Sequence, residues 1–290
     1  MPAPTIIAAV EPLIHRDRAP VDLAVAIADT TGAQVIAAAA FPWAMDDERE
    51  RLEALRHDLG VQTRPLIDLS APRSIHTLAS DLDAGLIVVG STQRGAVGRV
   101  LTGSTAEAIV HGSPCPVLLA PKGYTAAPLK TIAVGFADTP EGHAALATAH
   151  AFACRAGAHL RVIAALAPMN GLAGEPELST RPRNYVRLEG RHRAEVEAAL
   201  NAALAQLDGD LEIETEFHVA DAADILLRVS EHVDLLVCGS RGYGPTHSVL
   251  VGGVTHRLLR AAACPVLVLP RGVEQPLAHL IAFADAATAQ

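Results

Sequence analysis

The sequence predicts a mixed α/β protein made of two copies of one domain, each a mostly parallel sheet covered by helices on both faces. Short apolar runs alternate with longer helical patterns, as in parallel strands joined by crossover helices. Similar segments also recur at a constant distance along the chain. Hydrophobic residues make up 50% of the 290 residues but aromatic residues only 3%, so mainly aliphatic side chains are available for the core, which suits helices packed on a sheet.

The internal repeat is carried by one unchanged offset. Leu86–Gly90 and Leu235–Gly239 are apolar runs that are each followed by Ser, and they lie 149 positions apart. The same offset relates Cys115 to Cys264, each followed by Pro-Val-Leu. Near the start of each copy the offset is 126, so the second copy holds 23 extra residues, which we assign to a loop at 168–187. The chain is therefore expected to divide into domains at 1–123 and 129–272 and a tail at 273–290.

Each copy is expected to hold five strands and four helices. In the first copy the strands fall at 5–10, 34–40, 63–67, 86–89 and 117–120, and the helices at 19–30, 45–59, 73–82 and 105–111. In the second copy the strands fall at 131–136, 159–165, 211–218, 234–238 and 266–269, and the helices at 141–156, 185–207, 223–230 and 254–262. Thr139 before Pro140 predicts a capped helix start. Gly32 and Gly157 follow helices where a left-handed residue is expected.

The charge balance argues against a nucleic-acid-binding protein. The chain has 23 Lys and Arg residues against 32 Asp and Glu, and no basic stripe that could follow phosphates. No apolar run reaches the roughly 20 residues that span a bilayer, and the first residues do not resemble a signal peptide, so no membrane contact is expected. None of the four cysteines forms a Cys-x-x-Cys pair, which favours reduced thiols and a cytoplasmic location.

A glycine-rich loop follows the fourth expected strand of each copy and leads into a helix. The residues that could approach a ligand there are Gly90, Gln93, Gly103, Ser104 and Thr105 in the first copy and Gly239, Gly242, Gly252 and Gly253 in the second. Glycine lets backbone amides come close to an oxyanion, and a helix start adds unpaired amides and a positive dipole end. Arg94, Arg99 or Arg241 could add charge. Alternatively, these glycines only form tight turns.

The spacing of the glycines differs from two common phosphate motifs. No Gly-Lys-Ser or Gly-Lys-Thr occurs, and the glycines follow the fourth strand, whereas the dinucleotide-binding loop follows the first. The arrangement resembles the ATP-binding signature of the universal stress proteins, in their tandem form: Gly, two residues, Gly, nine residues, Gly, then Ser or Thr. The segments 113–119 and 263–269 are also typical of that family. The resemblance covers nearly all of 4–123 and 129–272.

The resemblance implies two flavodoxin-like, adenine-nucleotide-α-hydrolase-like domains of three layers, each with a mostly parallel five-stranded sheet. In this family the copies pair through the last strand, here 117–120 and 266–269. This pairing would form an internal pseudo-dimer and hide an exposed sheet edge. Whether whole chains also form a homodimer is left open. The resemblance further implies ATP or a related adenine nucleotide, with Mg²⁺, as the ligand.

Both copies depart from the family signature, at different positions. The first copy has Gln93 in place of the second glycine, and the second copy has Gly253 in place of Ser or Thr. ATP-binding members carry an Asp at the end of the first strand, where this chain has Glu11 in one copy and Ala137 in the other, with Asp138 one residue later. Losing one hydrogen bond costs about 0.5–1.5 kcal/mol, so the affinity would fall several-fold without vanishing.

Other catalytic or metal-binding arrangements have little support in the sequence. The 13 histidines form no helical metal-binding motif. His247 and His256 could face a ligand phosphate, but they are more simply interpreted as surface residues. No nucleophile elbow occurs. Cys115 and Cys264 fit small buried residues better than reactive thiols. We therefore assign no catalytic residue and no metal ligand.

Two hypotheses about function follow. The leading one is a cytoplasmic stress-response protein that binds ATP and thereby changes its state or its protein partner, and that is not an enzyme, although slow hydrolysis stays open. The alternative is a scaffold for an unknown protein partner, with degenerate loops that no longer hold nucleotide. Glu11 and the Gly103-Ser104 pair favour the first hypothesis. Gln93, Ala137 and Gly253 favour the second.

Overall fold

The computed structural model describes residues 3–10, 18–41, 46–91, 97–166, 183–240 and 252–269, together with Leu277 and Leu280. The described part of the first copy contains β1 (Thr5–Ala9), α1 (Ala19–Thr31), β2 (Gln34–Phe41), α2 (Asp46–Leu59), β3 (Gln62–Ile67), α3 (Ala71–Asp81), β4 (Leu86–Gly90), α4 (Ser104–Val110) and β5 (Val117–Ala120). That of the second copy contains β6 (Thr131–Phe136), α5 (Pro140–Ala156), β7 (His159–Leu166), α6 (Arg183–Leu204), β8 (Ile213–Val219), α7 (Ala222–Val229), β9 (Leu235–Gly239), α8 (Gly253–Ala261) and β10 (Val266–Leu269).

Every strand and helix expected from the sequence is present, and the ends differ by three residues at most. The expected loop at 168–187 is wrong for its last residues, because α6 already begins at Arg183. The rest of that expected loop lies outside the described residues. Among the helices that the structure describes, none is both long and apolar enough to cross a membrane.

All ten strands of the described chain form one sheet, in the order β3-β2-β1-β4-β5-β10-β9-β6-β7-β8. Neighbouring strands are parallel within each copy. The copies join through β5 and β10, which run antiparallel with Leu118 opposite Leu267. This confirms the expected pairing of the last strands.

The strand order within each copy refines the expected fold class. Counted along its own copy, each half has the order 3-2-1-4-5, whereas flavodoxin itself has 2-1-3-4-5. The expected class, a layered α/β unit with a mostly parallel five-stranded sheet, is confirmed. In both copies the order reverses beside the first strand, which is where α/β sheets of this kind form a crevice, so the crevices are expected between β1 and β4 and between β6 and β9.

Helices cover both faces of the sheet and enclose two apolar clusters. One cluster includes Leu23 of α1 and Phe152 of α5, and the other includes Ile75 of α3 and Leu258 of α8. Fully burying one such side chain contributes about 1.5–3 kcal/mol. Each cluster contains residues from both copies, so the apolar core is continuous across the junction of β5 and β10.

The helix boundaries follow the local signals in the sequence. The hydroxyl of Thr139 accepts a hydrogen bond of 3.1 Å from the amide of Gly142, which caps the start of α5. Gly32 and Gly157 end α1 and α5 with φ values of 70° and 60°. These are left-handed conformations, which glycine adopts without the steric cost of a Cβ atom. The expected cap and both expected helix ends are confirmed.

Two described residues of the C-terminal tail pack against the body of the protein. Leu277 and Leu280 are buried and join the same apolar cluster as α1 and α5. Leu280 lies so close to Gly85, in the turn before β4, that a Cβ atom added to this glycine would come within 2.9 Å of the leucine Cγ. The tail, whose place the sequence left undefined, therefore reaches the first copy.

Candidate functional site

The two crevices lie at the carboxyl ends of the central strands. Gly90 is the last residue of β4, and Gly239 is the last residue of β9. Ligands of open α/β sheets bind outside the carboxyl ends of the strands where the strand order reverses. The first glycine of each loop therefore stands at the position that this rule assigns to a ligand.

Close helix packing explains the first glycine of each loop. A Cβ atom added to Gly90 would come within 2.8 Å of Cγ of Pro20, in the first turn of α1. A Cβ atom added to Gly239 would come within 2.9 Å of both Cβ and the carbonyl oxygen of Glu141, in the first turn of α5. Close packing is a role that the sequence did not suggest for these two glycines, and it leaves both the anion-binding and the tight-turn hypotheses open.

The third glycine of each loop has the same backbone geometry in both copies. Gly103 is the N-cap of α4 with φ −83° and ψ 170°, and Gly252 is the N-cap of α8 with φ −81° and ψ 170°. Ser104 and Thr105 are exposed in the first turn of α4. Gly253 is also exposed, and a Cβ atom added to it would meet nothing within 4 Å. Both helices thus begin at exposed residues whose amides have no partner within the helix.

Several candidate residues lie outside the described residues. They are Glu11, Gln93 and Gly242 among the proposed ligand contacts and Arg94, Arg241 and His247 among the possible charges. The described portion of the site therefore consists of the first and third glycines, the helix starts that follow them and the residues that hold these loops in place.

The second copy has a short connection between its first strand and its first helix. Ala137 is exposed, and a Cβ atom added to Gly142 would lie 2.0 Å from its carbonyl oxygen, so α5 starts directly against the strand end. The carboxylate of Asp138 is 3.0 Å from Nε2 of His143. The His143 ring in turn stands edge-on to Phe136 at 5.3 Å. Asp138 is thus directed towards α5 through His143.

In the first copy, the serine that follows the first glycine holds the loop in place. Ser91 Oγ donates to the carbonyl of Ala120 at 2.7 Å and accepts from the amide of Leu101 at 3.2 Å. The equivalent Ser240 Oγ is buried and has no hydrogen-bond partner among the described residues. Sequence reasoning did not assign a role to either serine, although the repeated Gly-Ser pair was a usable signal.

Two candidate ligand contacts are directed to the other copy. Arg99 Nη1 donates to the carbonyl of Ala261 at 3.2 Å, and Arg99 Nη2 donates to Glu231 at 2.7 Å. His256 Nδ1 lies 3.4 Å from a carboxylate oxygen of Glu107. Arg99, one of three residues that could supply charge to a phosphate, is thus paired with the other copy, and His256 is partly exposed, which agrees with the surface position that the sequence favoured. No sequence signal linked them to partners so distant along the chain.

All four cysteines lie among the described residues, and none of them forms a disulfide bond. Burial raises the pKa of Cys115 and of Cys238 to about 12, and it also raises the pKa of Cys264. Thiols with raised pKa values carry little thiolate and react slowly. The interpretation of Cys115 and Cys264 as small buried residues agrees with this. Within the described ranges, no group of three or more His, Cys, Asp and Glu side chains is arranged to hold a metal ion.

The chain matches a known protein family over most of its length. The model of the Universal stress protein family matches residues 5–121 and residues 128–270. The two matches correspond to the two copies found from the internal repeat.

Curated relatives carry the same family description. A universal stress protein of Mycolicibacterium smegmatis is 29% identical over 223 residues, which cover 73% of this chain and 70% of the relative. One of Mycobacterium tuberculosis is 27% identical over 202 residues, which cover 67% of this chain and 66% of the relative. One of Thermus aquaticus is 29% identical over 140 residues, 48% of this chain and 98% of the relative. The matched part thus spans about two thirds of the mycobacterial relatives.

Solved structures share the arrangement of the whole chain. A universal stress protein from Archaeoglobus fulgidus DSM 4304 has a TM-score of 0.62 at 16% identity, over 92% of this chain and 98% of the other. A functionally unknown protein from Pseudomonas aeruginosa PAO1 has a TM-score of 0.66 at 18% identity, over 99% and 98%. The cytoplasmic domain of a prokaryotic cation chloride cotransporter has a TM-score of 0.53 at 11% identity, over 95% and 98%. At these identities the similarity shows the fold.

Proposed function

Because this chain belongs to the universal stress protein family, we propose that it binds ATP or a related adenine nucleotide, with Mg²⁺, as a stress-responsive regulator. The four free thiols suit the reducing cytoplasm. In this proposal the nucleotide alters the state of the protein or its affinity for a protein partner. The ligand lies in one or both crevices outside the carboxyl ends of the central strands.

The observation that carries this proposal is the shared geometry of Gly103 and Gly252. Each stands directly before a helix that begins beside a crevice, with almost identical φ and ψ values. Amides at such a position can donate to phosphate oxygens, and the helix dipole favours negative charge there. Two copies that have diverged elsewhere retain this backbone arrangement, which supports a role in anion binding for the third glycine.

The described side chains of the crevice favour binding over catalysis. Ser104 and Thr105 are exposed at the start of α4. Within the described chain neither hydroxyl is hydrogen-bonded to a histidine or a carboxylate that could activate it as a nucleophile. Their hydroxyls suit donation to a phosphate oxygen. We therefore propose a regulator that holds nucleotide rather than an enzyme that turns it over.

The alternative function is a partner-binding scaffold, and it has its best support in the second copy. There Ala137 replaces the carboxylate expected at the end of the first strand, and Asp138 is already paired with His143. Gly253 supplies no hydroxyl at the helix start. These features predict weaker nucleotide binding in the second copy than in the first.

Calorimetric titration of ATP with Mg²⁺ into the full chain tests the proposal, with two matched variants. Gly103→Val and Gly252→Val place the same side chain at the same backbone conformation in the two copies. We expect binding by the unsubstituted chain that is strongly reduced in Gly103→Val and little changed in Gly252→Val. Thermal unfolding of both variants without nucleotide controls for loss of folding, because valine is a poor N-cap residue.

Each outcome of this titration has a definite meaning. Loss of binding only in Gly252→Val would move the nucleotide to the second copy. If the unsubstituted chain gives no heat of binding and no thermal shift at millimolar ATP, the nucleotide proposal is ruled out and the scaffold is favoured. A protein that releases ADP rapidly during the titration would contradict the absence of catalysis.

A further inference from the structure

The glycine loop of the first copy is bound along much of its described length to the second copy. The amide of Val100 donates to the carbonyl of Ala262 at 2.7 Å, and the amide of Thr102 donates to the carbonyl of Leu259 at 3.0 Å. The Arg99 side chain adds its bonds to Ala261 and Glu231. Val100 is fully buried. The loop is therefore part of the interface between the copies.

These contacts satisfy backbone groups that a helix end leaves without partners. The last carbonyl groups of a helix have no amide donor within the helix. Leu259 and Ala261 lie in the last turn of α8, and Ala262 is its C-cap. The first copy supplies donors to all three carbonyls, and the guanidinium of Arg99 places positive charge at the negative end of the helix dipole. The loop and the helix end therefore stabilise each other.

The contacts with the second copy are adjacent to the proposed ligand contacts. Thr102 immediately precedes Gly103, the N-cap residue whose geometry supports nucleotide binding. Leu101, between the residues bound to α8, donates its amide to Ser91, which follows Gly90. A movement of residues 99–102 would therefore displace both described glycines of the first crevice relative to each other.

The positions equivalent to this ion pair in the other half of the chain hold uncharged residues. At the offset of 149, Arg99 corresponds to Ser248 and Glu231 corresponds to Leu82. A serine and a leucine cannot form the charged contact. This charged contact is therefore specific to the loop of the first copy.

We propose that the second copy holds the glycine loop of the first copy in its ligand-binding conformation, with Arg99 and Glu231 as positioning residues. The proposal rests on the nucleotide-binding function proposed above. It means that the affinity of the first crevice depends on a carboxylate that belongs to the other copy. Linkage then requires that nucleotide binding in turn strengthens the contact between the loop and α8.

The test uses the full chain with Gly252→Val, so that ATP binding reports on the first crevice. In this background we compare Glu231→Ala, Arg99→Ala and the double variant. Glu197→Ala is the matched control, because Glu197 pairs with Arg193 on α6 at a similar exposure and does not belong to this interface. Calorimetry gives the Kd for ATP with Mg²⁺, and hydrogen exchange without nucleotide gives the protection of the Val100 and Thr102 amides.

We expect Glu231→Ala to raise the Kd about two- to five-fold, as loss of a partly exposed ion pair would. Arg99→Ala should raise it further, because the bond to Ala261 is lost as well. The double variant should resemble Arg99→Ala alone, since both substitutions remove one shared contact. Exchange at residues 99–103 should accelerate in all three, and Glu197→Ala should change neither quantity.

Four results would overturn the inference. If the parent chain binds ATP and Glu231→Ala binds it equally well, the positioning role is wrong while the proposed function stands. If exchange at 99–103 is unchanged in Arg99→Ala, the second copy does not hold the loop. If the unsubstituted chain binds ATP but the Gly252→Val parent does not, the nucleotide lies in the second copy, so the proposed function stands and the positioning role is wrong. If the unsubstituted chain binds no ATP, the proposed function fails, and the link to a nucleotide fails with it, whatever the exchange data show.

Discussion

In the second copy three residues connect the first strand to the first helix, whereas nine residues separate β1 from α1 in the first copy. Correspondingly, α5 has 17 residues and α1 has 13. The two copies nevertheless share the geometry of the third glycine, at 103 and 252. The part of the crevice formed by the fourth strand and the next helix has therefore been retained, while the part formed by the first strand has diverged.

Under the proposed function, this difference predicts that the two copies bind a nucleotide with different affinities. The side of the crevice beside the first strand is where the family signature expects a carboxylate. In the second copy Ala137 occupies that place, and Gly142 is packed against its carbonyl oxygen. A nucleotide bound there would have one acceptor fewer than the family signature provides. Three matched pairs of substitutions test how far the copies differ.

The largest expected effect is on the first glycine of each loop. Gly239→Ala should lower the free energy of unfolding by about 2–3 kcal/mol and Gly90→Ala by about 1–2 kcal/mol, because overpacking forces neighbouring atoms to shift. The added methyl at 239 meets backbone atoms of Glu141, whereas at 90 it meets a ring atom of Pro20. Urea denaturation measures both. Equal costs would show that α1 and α5 pack equally tightly on their strands.

The serine that follows each first glycine should give a smaller difference. Ser91→Ala removes the bonds to Ala120 and Leu101 and should cost about 1–2 kcal/mol, because it leaves a partly buried amide without its acceptor. Ser240→Ala removes a hydroxyl without a partner in the described chain and should cost less than about 0.5 kcal/mol. The same denaturation experiment applies. A large cost at Ser240 would point to a partner for its hydroxyl outside the described residues.

The smallest expected effect is on the hydroxyl at the helix start. Gly253→Ser adds a side chain into open space and should lower the Kd of the second copy for ATP about two- to five-fold through one hydrogen bond. Ser104→Gly is the reverse substitution at the equivalent position and should raise the Kd of the first copy by a similar factor. Both are measured by titration. Unchanged affinities would exclude these positions from phosphate binding.

Much of the fold follows from local sequence patterns. Each of these patterns spans only a few residues. They are the apolar runs of strand length, the helix start at Thr139-Pro140 and the glycines at 32 and 157, and the elements that they predict are present. The pairing of β5 with β10 was expected from the family resemblance. The helix expected at 185–207 is present as α6, which begins at Arg183, so the last residues of the expected loop at 168–187 are helical.

The site was less accessible to sequence reasoning. The helix starts at Gly103 and Gly252 were expected from their spacing, and both are N-caps. The orientation of Arg99 and of His256 was not expected from the sequence, because their partners lie 132 and 149 residues away along the chain. Glu231 carried no signal at all. A charged side chain selects its partner by distance in space, and no local pattern records that distance.

The sequence by itself determined the duplication, the alternation of strands and helices and the place of the glycine loops, because periodicity and turn chemistry act over a few residues. The tertiary structure alone decided which glycines are needed for close helix packing and which remain at the surface of the crevice. It also decided that the loop of the first copy is held by the end of α8. Both depend on contacts between segments brought together only when the two copies close into one ten-stranded sheet.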